Sequence, residues 1–251
     1  MTKTIAIVNH KGGVGKTTTT ASVGVALANR GYRVLLIDLD AQANLTTSLS
    51  TAEPAKTIYH ALKGEPLPII SLKDNLDLVC SSLEMAGVEL ELSARMSREF
   101  ILKDLIDEVK INYDCILLDC PPSLGLVTLN ALVATDEVIV PLTAEALPAK
   151  GLAMLTDIIA MAQKRLNSSL SISGLVLTRW KKNNLSQAVE EQLREIYGAK
   201  LFNTKIRENI KIAESPLSAT DIISHAPTSN GAKDYQSLTE EIISRYLNGT
   251  K

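Results

Sequence analysis

A glycine- and threonine-rich segment near the amino terminus has residue types and spacing that suit phosphate chemistry. Residues 8–20 read VNHKGGVGKTTTT, with lysines at positions 11 and 16 on either side of the glycines. Glycines let the backbone approach a polyphosphate, and the lysine and hydroxyl that follow suit its terminal phosphates and a magnesium ion. The phosphate-loop pattern G-x-x-x-x-G-K-[ST] has glycine where this chain has His10. The segment is therefore a phosphate loop with one glycine missing and one lysine, Lys11, added.

The residue types of this loop predict specific contacts. Lys16 is predicted to reach the β- and γ-phosphate oxygens and Thr17 to place its hydroxyl on Mg²⁺, while the N-terminus of the following helix adds partial positive charge. A glycine turn of a dinucleotide-binding fold is the alternative, but KGGVGKTT is far more specific than an isolated G-x-G-x-x-G. The predicted nucleotide-binding residues are Lys11, Gly12, Gly13, Val14, Gly15, Lys16, Thr17, Thr18 and, much later in the chain, Arg207.

Two acidic segments could complete such a site. Residues 38–44 read DLDAQAN, and residues 117–123 read LLDCPPS. Carboxylates at the carboxyl ends of parallel strands open into the ligand crevice, which places Asp119 like the acid that holds Mg²⁺, partly through water. Either Asp38 or Asp40 could orient the attacking water. Each aspartate alone is compatible with a capping or turn role, but three elements in this order favour a nucleotide site.

These residues need a scaffold, and apolar β-branched runs alternate with helical segments along the chain. The predicted strands are residues 4–9, 34–38, 76–80, 115–119, 137–142 and 172–178. The predicted helices are residues 16–29, 96–109, 124–134, 148–166, 185–197 and 231–247. This alternation predicts an α/β fold with a mostly parallel, twisted sheet flanked by helices on both faces, whereas residues 50–75 show no clear pattern.

The composition fits a globular protein and argues against several classes. The chain has 251 residues, of which 45% are hydrophobic and 22% charged. No linker rich in proline, glycine or serine divides it, which predicts one domain over residues 1–251. No apolar run approaches the ~20 residues that span a membrane. With no secretory signal and only three scattered cysteines, a cytoplasmic protein is expected.

Charge is distributed unevenly, although the formal net charge is only −2. Residues 164–211 contain ten Lys or Arg against four Asp or Glu, a local balance of +6 that leaves −8 for the rest of the chain. Such asymmetry can mark a surface that meets a polyanion, or a solvated face whose charge is offset by neighbours in the fold. Charge alone favours the second interpretation.

The succession of KGGVGKTT, DxDxQxN and LLDCPPS resembles the ParA/Soj family of chromosome- and plasmid-partitioning ATPases. This family is a branch of the deviant Walker A group of P-loop NTPases that also contains MinD, and the resemblance covers essentially the whole chain. In the family, the lysine that matches Lys11 reaches across a nucleotide-sandwich dimer to the phosphates bound by the other subunit. The resemblance therefore implies a homodimer that ATP holds together and hydrolysis loosens.

The same resemblance implies roles for the other site residues. The family's essential loop lysine matches Lys16, its magnesium threonine matches Thr17, and its hydrolytic aspartate matches Asp40. The acid of its Walker B element matches Asp119, and its switch segment matches the turn at residues 121–123. Lys11, Lys16 and Asp40 are thus the expected catalytic residues.

DNA contacts are implied in the basic part of the chain. In Soj-like proteins, basic residues at two places face DNA, and the matches here are Lys182 and Lys211, which suit phosphates but lack the bidentate fork of arginine. The second place resembles the family stretch I-P-R-N-x-x-L-x-E-A-P, with Arg207 in place of the first proline and Glu208 in place of the arginine. This departure leaves the adenine contacts open. The predicted DNA-binding residues are Arg179, Lys181, Lys182, Arg207 and Lys211.

The remaining sequence separates the relatives. MinD-like proteins end in a basic amphipathic helix, whereas this chain ends EEIISRYLNGTK, so no membrane anchor is expected. Cys115 and Cys120 flank one predicted strand and do not resemble the cysteines that bridge an iron–sulfur cluster. Synthetases with similar loops need a substrate pocket that no motif indicates. Because the first predicted strand begins within five residues of Met1, no N-terminal helix-turn-helix extension is expected.

The sequence therefore predicts a slow ATPase with ATP and Mg²⁺ as cofactors, stimulated by a ParB-like partner. With ATP it is expected to dimerise and to coat double-stranded DNA without sequence preference, in the cytoplasm and on the nucleoid. A related ATPase that positions another cargo is one alternative. A MinD-type, membrane-associated regulator is the other.

Overall fold

A computed structural model of the chain describes residues 1–144 and 149–248. In these ranges the strands are β1 (Lys3–Ile7), β2 (Val34–Asp38), β3 (Ile69–Lys73), β4 (Leu76–Val79), β5 (Cys115–Asp119), β6 (Glu137–Thr143), β7 (Ile172–Trp180) and β8 (Leu201–Arg207). They form one sheet in the order β3-β4-β2-β5-β1-β6-β7-β8. Strand β3 pairs antiparallel with β4, and the other pairs are parallel.

Helices connect the strands and cover both faces of the sheet, which confirms the predicted α/β fold. They are α1 (Lys16–Ala28), α2 (Asn44–Leu49), α3 (Ile58–Leu62), α4 (Val88–Leu92), α5 (Ile101–Val109), α6 (Leu126–Ala134), α7 (Ala149–Arg165), α8 (Asn184–Tyr197), α9 (Ile210–Glu214), α10 (Ile222–His225) and α11 (Asn230–Ile242). One π-helical turn, Ile243–Leu247, continues α11. No described helix combines the length and the apolar character that crossing a membrane requires.

The core consists of two apolar layers, one on each side of the sheet. Ile5 and Ile7 of β1 belong to the layer that contains α1 and α11, whereas Ala6 and the following Val8 belong to the layer that contains α5 to α8. Strands buried on both faces need apolar residues at every position. This requirement explains why β1, β2 and β5 each contain a continuous apolar run.

The register brings the predicted site residues to one edge of the sheet. Ile7, the last residue of β1, lies opposite Asp119, the last residue of β5. Asp119 in turn lies opposite Asp38, the last residue of β2. The glycine-rich loop therefore leaves the sheet beside both aspartates, as expected for the carboxyl ends of parallel strands.

Several elements differ from the sequence prediction. Residues 50–75 contain α3 and the edge strand β3, and β8 was not predicted because its burial alternates irregularly. The helix predicted from residue 96 begins at Ile101, because Ser97 has a φ of 53° in a preceding turn. The start of the helix predicted from Pro148 lies outside the described residues.

Candidate functional site

The glycine-rich loop links β1 to α1 in a conformation that glycine makes possible. Gly13 and Gly15 have φ values of 71° and 88°, in the left-handed region that side chains disfavour. No side chain caps α1, so the N–H groups of its first turn are open to an anion. Asn9 holds the start of the loop, since its Nδ2 donates to the Pro141 carbonyl at 2.7 Å.

The two lysines of the loop lie in different surroundings. Lys16 is only 7% exposed, and its Nζ donates to the backbone carbonyl of Lys11 at 3.3 Å. Burial lowers the pKa of the Lys16 ammonium, and the charges of Asp119 and Asp40 partly oppose that shift. The Lys11 side chain is exposed, while its backbone N–H donates to Asn9 Oδ1 at 3.0 Å. One lysine thus points into the site, and the other is accessible from outside the protomer.

The structure separates Asp38 from Asp40. Asp38 is fully buried and accepts hydrogen bonds from the Thr46 N–H at 2.9 Å and the Thr46 hydroxyl at 2.8 Å. Burial raises the pKa of Asp38 to about 6. Asp40 is half-buried, and its Oδ1 accepts from the Gln42 N–H at 3.0 Å. Because Asp38 is committed to Thr46, Asp40 is the carboxylate of the pair that lines the cavity beside the loop.

Asp119 carries an unpartnered oxygen at the base of the site. It is fully buried, its Oδ1 accepts from the Thr20 hydroxyl at 3.4 Å, and its Oδ2 has no hydrogen-bond partner among the residues that the structure describes. Burial raises the pKa of Asp119 well above its ordinary value, and the charge of Asp38 adds to that effect. An orphaned buried carboxylate oxygen near the Thr17 hydroxyl suits Mg²⁺, which prefers oxygen ligands and keeps several waters. These residues fit the predicted cofactor.

Two adjoining cavities surround the loop. One, of about 480 Å³, lies against Lys16, Thr17 and Asp40. The other, of about 650 Å³, continues toward the end of β8 and is lined partly by Ile206, Ile212 and Tyr235. The residues common to both are Gly13, Gly15, Thr18 and Pro216. The smaller cavity, lined by Lys16, Thr17 and Asp40, suits a polyphosphate. The larger cavity, with its apolar side chains, suits a nucleoside.

Thr178, at the carboxyl end of β7, is a site residue that sequence reasoning missed. It is 3% exposed, and its hydroxyl lies 2.8 Å from the Val14 carbonyl and 3.2 Å from the Leu142 carbonyl. Its Cγ2 lies 3.6 Å from where a Cβ on Gly15 would stand. Thr178 therefore fixes the position of the phosphate loop from the neighbouring strand. A hydroxyl at the carboxyl end of a predicted strand was the only signal.

We expect Thr178→Val to weaken ATP binding about tenfold, because the valine keeps the shape but leaves the Val14 carbonyl without its donor. Thr178→Ser keeps the hydroxyl and should bind ATP like the wild type. Titration of each variant with a fluorescent ATP analogue makes the comparison. Equal affinities for valine and serine would show that this hydroxyl does not position the loop.

The predicted DNA-binding residues come together at the carboxyl ends of β7 and β8. Trp180 of β7 lies opposite Arg207 of β8, and the Glu208 N–H donates to the Trp180 carbonyl at 3.1 Å. Residues 179–182 and 207–211, which are distant in sequence, therefore form one continuous surface. We call these two segments the basic surface.

Acidic residues neutralise much of this basic surface. Arg207 forms a bidentate pair with Asp234, at 2.9 and 2.6 Å, which raises the pKa of its guanidinium. Lys211 pairs with Glu214 at 2.7 Å. Glu208 contacts Lys181 at 3.0 Å and Arg179 at 3.8 Å. Lys182 is exposed and forms no ion pair within the described ranges.

Comparisons with known proteins agree with this geometry. A family model of an AAA domain matches residues 2–172. The sporulation initiation inhibitor protein Soj of Bacillus subtilis is 41% identical, over 96% of this chain and 98% of that protein. The chromosome-partitioning ATPase Soj of Treponema pallidum is 39% identical, over 98% of each. A structure of cobyrinic acid a,c-diamide synthase from Mycobacterium smegmatis, with an ATP analogue and magnesium, has a TM-score of 0.85 at 31% identity and covers 100% of this chain and 98% of its own.

Proposed function

This chain belongs to the ParA/Soj family of partitioning ATPases, and from that premise we propose that it is a DNA-bound timer for partitioning chromosomes or plasmids. It is an ATPase that uses ATP and Mg²⁺. It works as a single ATPase domain that dimerises with ATP, coats the nucleoid in the cytoplasm and leaves DNA after hydrolysis. A ParB-like partner bound to a centromere-like site stimulates that hydrolysis.

Hydrolysis is assigned to residues that line the cavity of about 480 Å³ and to Asp119, which is buried beside it. The N–H groups of the loop and Lys16 would bind the phosphates, while Thr17 and Asp119 would hold Mg²⁺, which stabilises the charge on the phosphates. Asp40 orients the attacking water, which is supported by its half-buried position beside the loop and by the commitment of Asp38 to Thr46. Charge on the transferred phosphoryl group is stabilised from several directions, as phosphoryl transfer requires.

The exposed side chain of Lys11 is the main observation that supports an ATP-dependent dimer. Lys16 occupies the interior of the loop, whereas the exposed side chain of Lys11 on its outer side is accessible to a nucleotide bound by another subunit. A second copy facing the loop would bring its Lys11 to that nucleotide. The site is then complete only in the dimer, which makes ATP the link between subunits.

DNA binding is assigned to the basic surface, and the exposed Lys182 supports it most directly. Lys182 and Lys211 contact phosphates, so binding depends on charge rather than on base sequence. Arg179 and Lys181 add to this surface when Glu208 releases them. Arg207 contributes mainly through its pair with Asp234, which holds the loop after β8 against α11.

Sedimentation with DNA and with liposomes, each in the presence of ATP, tests the proposal against a membrane-associated regulator. We expect the protein to pellet with DNA of unrelated sequences and to remain in the supernatant with liposomes. Pelleting with liposomes alone would contradict DNA binding and favour the regulator.

Lys182→Ala is expected to weaken DNA binding equally for unrelated sequences. One lysine per protomer gives two phosphate contacts per dimer, so the slope of log affinity against log salt should fall by roughly two units, from about 0.9 per contact. Lys200→Ala is the matched control, because Lys200 is exposed but precedes β8, at the other end of that strand. The measurement is a DNA titration at several salt concentrations, with dimers verified by sedimentation. An unchanged slope in Lys182→Ala dimers would remove Lys182 from the DNA surface.

A further inference from the structure

Glu208 lies where the basic surface meets the nucleotide cavity. It follows the last residue of β8, and its carboxylate contacts Lys181 Nζ at 3.0 Å and Arg179 Nη2 at 3.8 Å. Its backbone N–H donates to the Trp180 carbonyl at 3.1 Å, which holds it beside β7. The carboxylate is therefore an internal counter-ion for two of the cations assigned to DNA.

The same residue lines the larger cavity together with Arg179. This cavity reaches the phosphate loop at Gly13 and Gly15, so a nucleotide whose phosphates lie on the loop brings its negative charge toward both side chains. That charge attracts the guanidinium of Arg179 and repels the carboxylate of Glu208. Bound nucleotide thus acts on both members of the ion pair in the direction that separates them.

The ion pairs of Glu208 are weak enough for this competition to matter. The side chains of Glu208, Arg179 and Lys181 are 44%, 52% and 50% exposed, and pairs between exposed groups are stabilised only slightly in water. A carboxylate oxygen and a DNA phosphate oxygen are alternative acceptors for the same N–H donors. A DNA phosphate can therefore take the place of Glu208 on Lys181 once the carboxylate moves away.

We propose that Glu208 is a nucleotide-sensitive gate on the DNA-binding surface. Without nucleotide its carboxylate holds Lys181 and Arg179, whereas bound ATP repels the carboxylate and attracts Arg179, which frees Lys181 for a DNA phosphate. The gate rests on the proposed function, since it requires that the basic surface bind DNA. DNA binding would then depend on ATP in two ways. ATP holds the dimer together, and it also acts on the Glu208 ion pairs within each protomer.

Glu214 provides a matched comparison on the same surface. It neutralises Lys211 at 2.7 Å, and its side chain is 38% exposed, but it does not line the nucleotide cavity. Glu208→Gln and Glu214→Gln remove the same charge from neighbouring ion pairs. The two ion pairs differ in one respect: Glu208 lines the nucleotide cavity and Glu214 does not. Only the Glu208 pair is therefore expected to respond to bound nucleotide.

The experiment titrates both variants and the wild type with a short fluorescent duplex, without nucleotide and with a non-hydrolysable ATP analogue and Mg²⁺. We expect Glu208→Gln to bind DNA roughly three- to tenfold more tightly than the wild type without nucleotide, with a salt slope steeper by about 0.9 per released contact. With the analogue, its gain should be under about twofold, since the wild-type gate is then open. Glu214→Gln should gain by the same factor in both states.

Two results overturn the inference in distinguishable ways. Analogue-dependent DNA binding by the wild type, with no gain or an equal gain for Glu208→Gln in both states, would contradict the gate and leave the proposed function standing. Absence of DNA binding by the wild type with the analogue, with dimers verified by sedimentation, would contradict the proposed function and the gate with it.

Discussion

Replacing Lys16 with alanine is expected to lower ATP affinity by at least about a hundredfold, or ~3 kcal/mol, since charge-assisted bonds to two phosphate oxygens are lost. Lys16 is buried beside Asp119 and Asp40, so its removal also leaves negative charge in the cavity that repels the phosphates. Hydrolysis, dimerisation and DNA binding should be lost together because each follows nucleotide binding. Calorimetry or a fluorescent ATP analogue measures the affinity directly.

Lys11→Ala is the matched control for this loss. Lys11 lies in the same loop and carries the same charge, but its side chain is exposed. The variant should bind ATP within about threefold of the wild type as a monomer, and lose dimerisation and hydrolysis. Normal nucleotide affinity in folded Lys16→Ala would show that the phosphates bind elsewhere. Equal loss of affinity in both variants would contradict a role for Lys11 across the dimer.

Asp40→Ala is expected to reduce ATP turnover by roughly a hundred- to a thousandfold, the usual effect of removing a group that orients or deprotonates the attacking water. Among the described residues the Asp40 side chain accepts one hydrogen bond, from the Gln42 N–H, so the fold and ATP binding should survive its removal. The variant should therefore dimerise with ATP and remain on DNA. Phosphate release and the lifetime of the DNA complex are the two measurements.

Asp40→Asn and Asp38→Asn sharpen this test. Asp40→Asn keeps the acceptor for Gln42 but removes the charge, so its turnover should fall as it does for alanine. Asp38→Asn presents an amide group to Thr46 and is expected to lower the melting temperature, since Asp38 accepts both the N–H and the hydroxyl of Thr46. Wild-type turnover in Asp40→Ala would remove Asp40 from the reaction.

Local sequence determined the parts of the molecule whose conformation depends on near neighbours. The bounds of β2 and β5 were predicted as the structure has them, because strands buried on both faces leave unbroken apolar runs. The start of α1 was predicted at Lys16, after glycines whose positive φ values other residues disfavour. The α/β fold followed from the alternation of such elements, and parallel pairing then brought Asp38 and Asp119 to one edge.

Tertiary structure decided which side chains are free to act. The residue pattern alone left Asp38 and Asp40 as alternatives and the family resemblance implied Asp40, but only the fold places Thr46 against Asp38. The role of Thr178 was not predictable from local sequence, because its acceptor, the Val14 carbonyl, is 164 residues away in the chain. Local patterns contain no information about such pairs, since they depend on how separate strands and helices pack.

Residues 164–211 show most clearly what sequence determines and what only the folded structure determines. Their excess of Lys and Arg is a property of sequence, but the charge available to a partner depends on where the acids fold. Glu208 and Glu214 follow β8, and Asp234 lies on α11; each is paired with a cation of the basic surface. Electrostatic energy depends on distance in space and on burial, so only the folded chain decides that Lys182 stays exposed while its neighbours are neutralised.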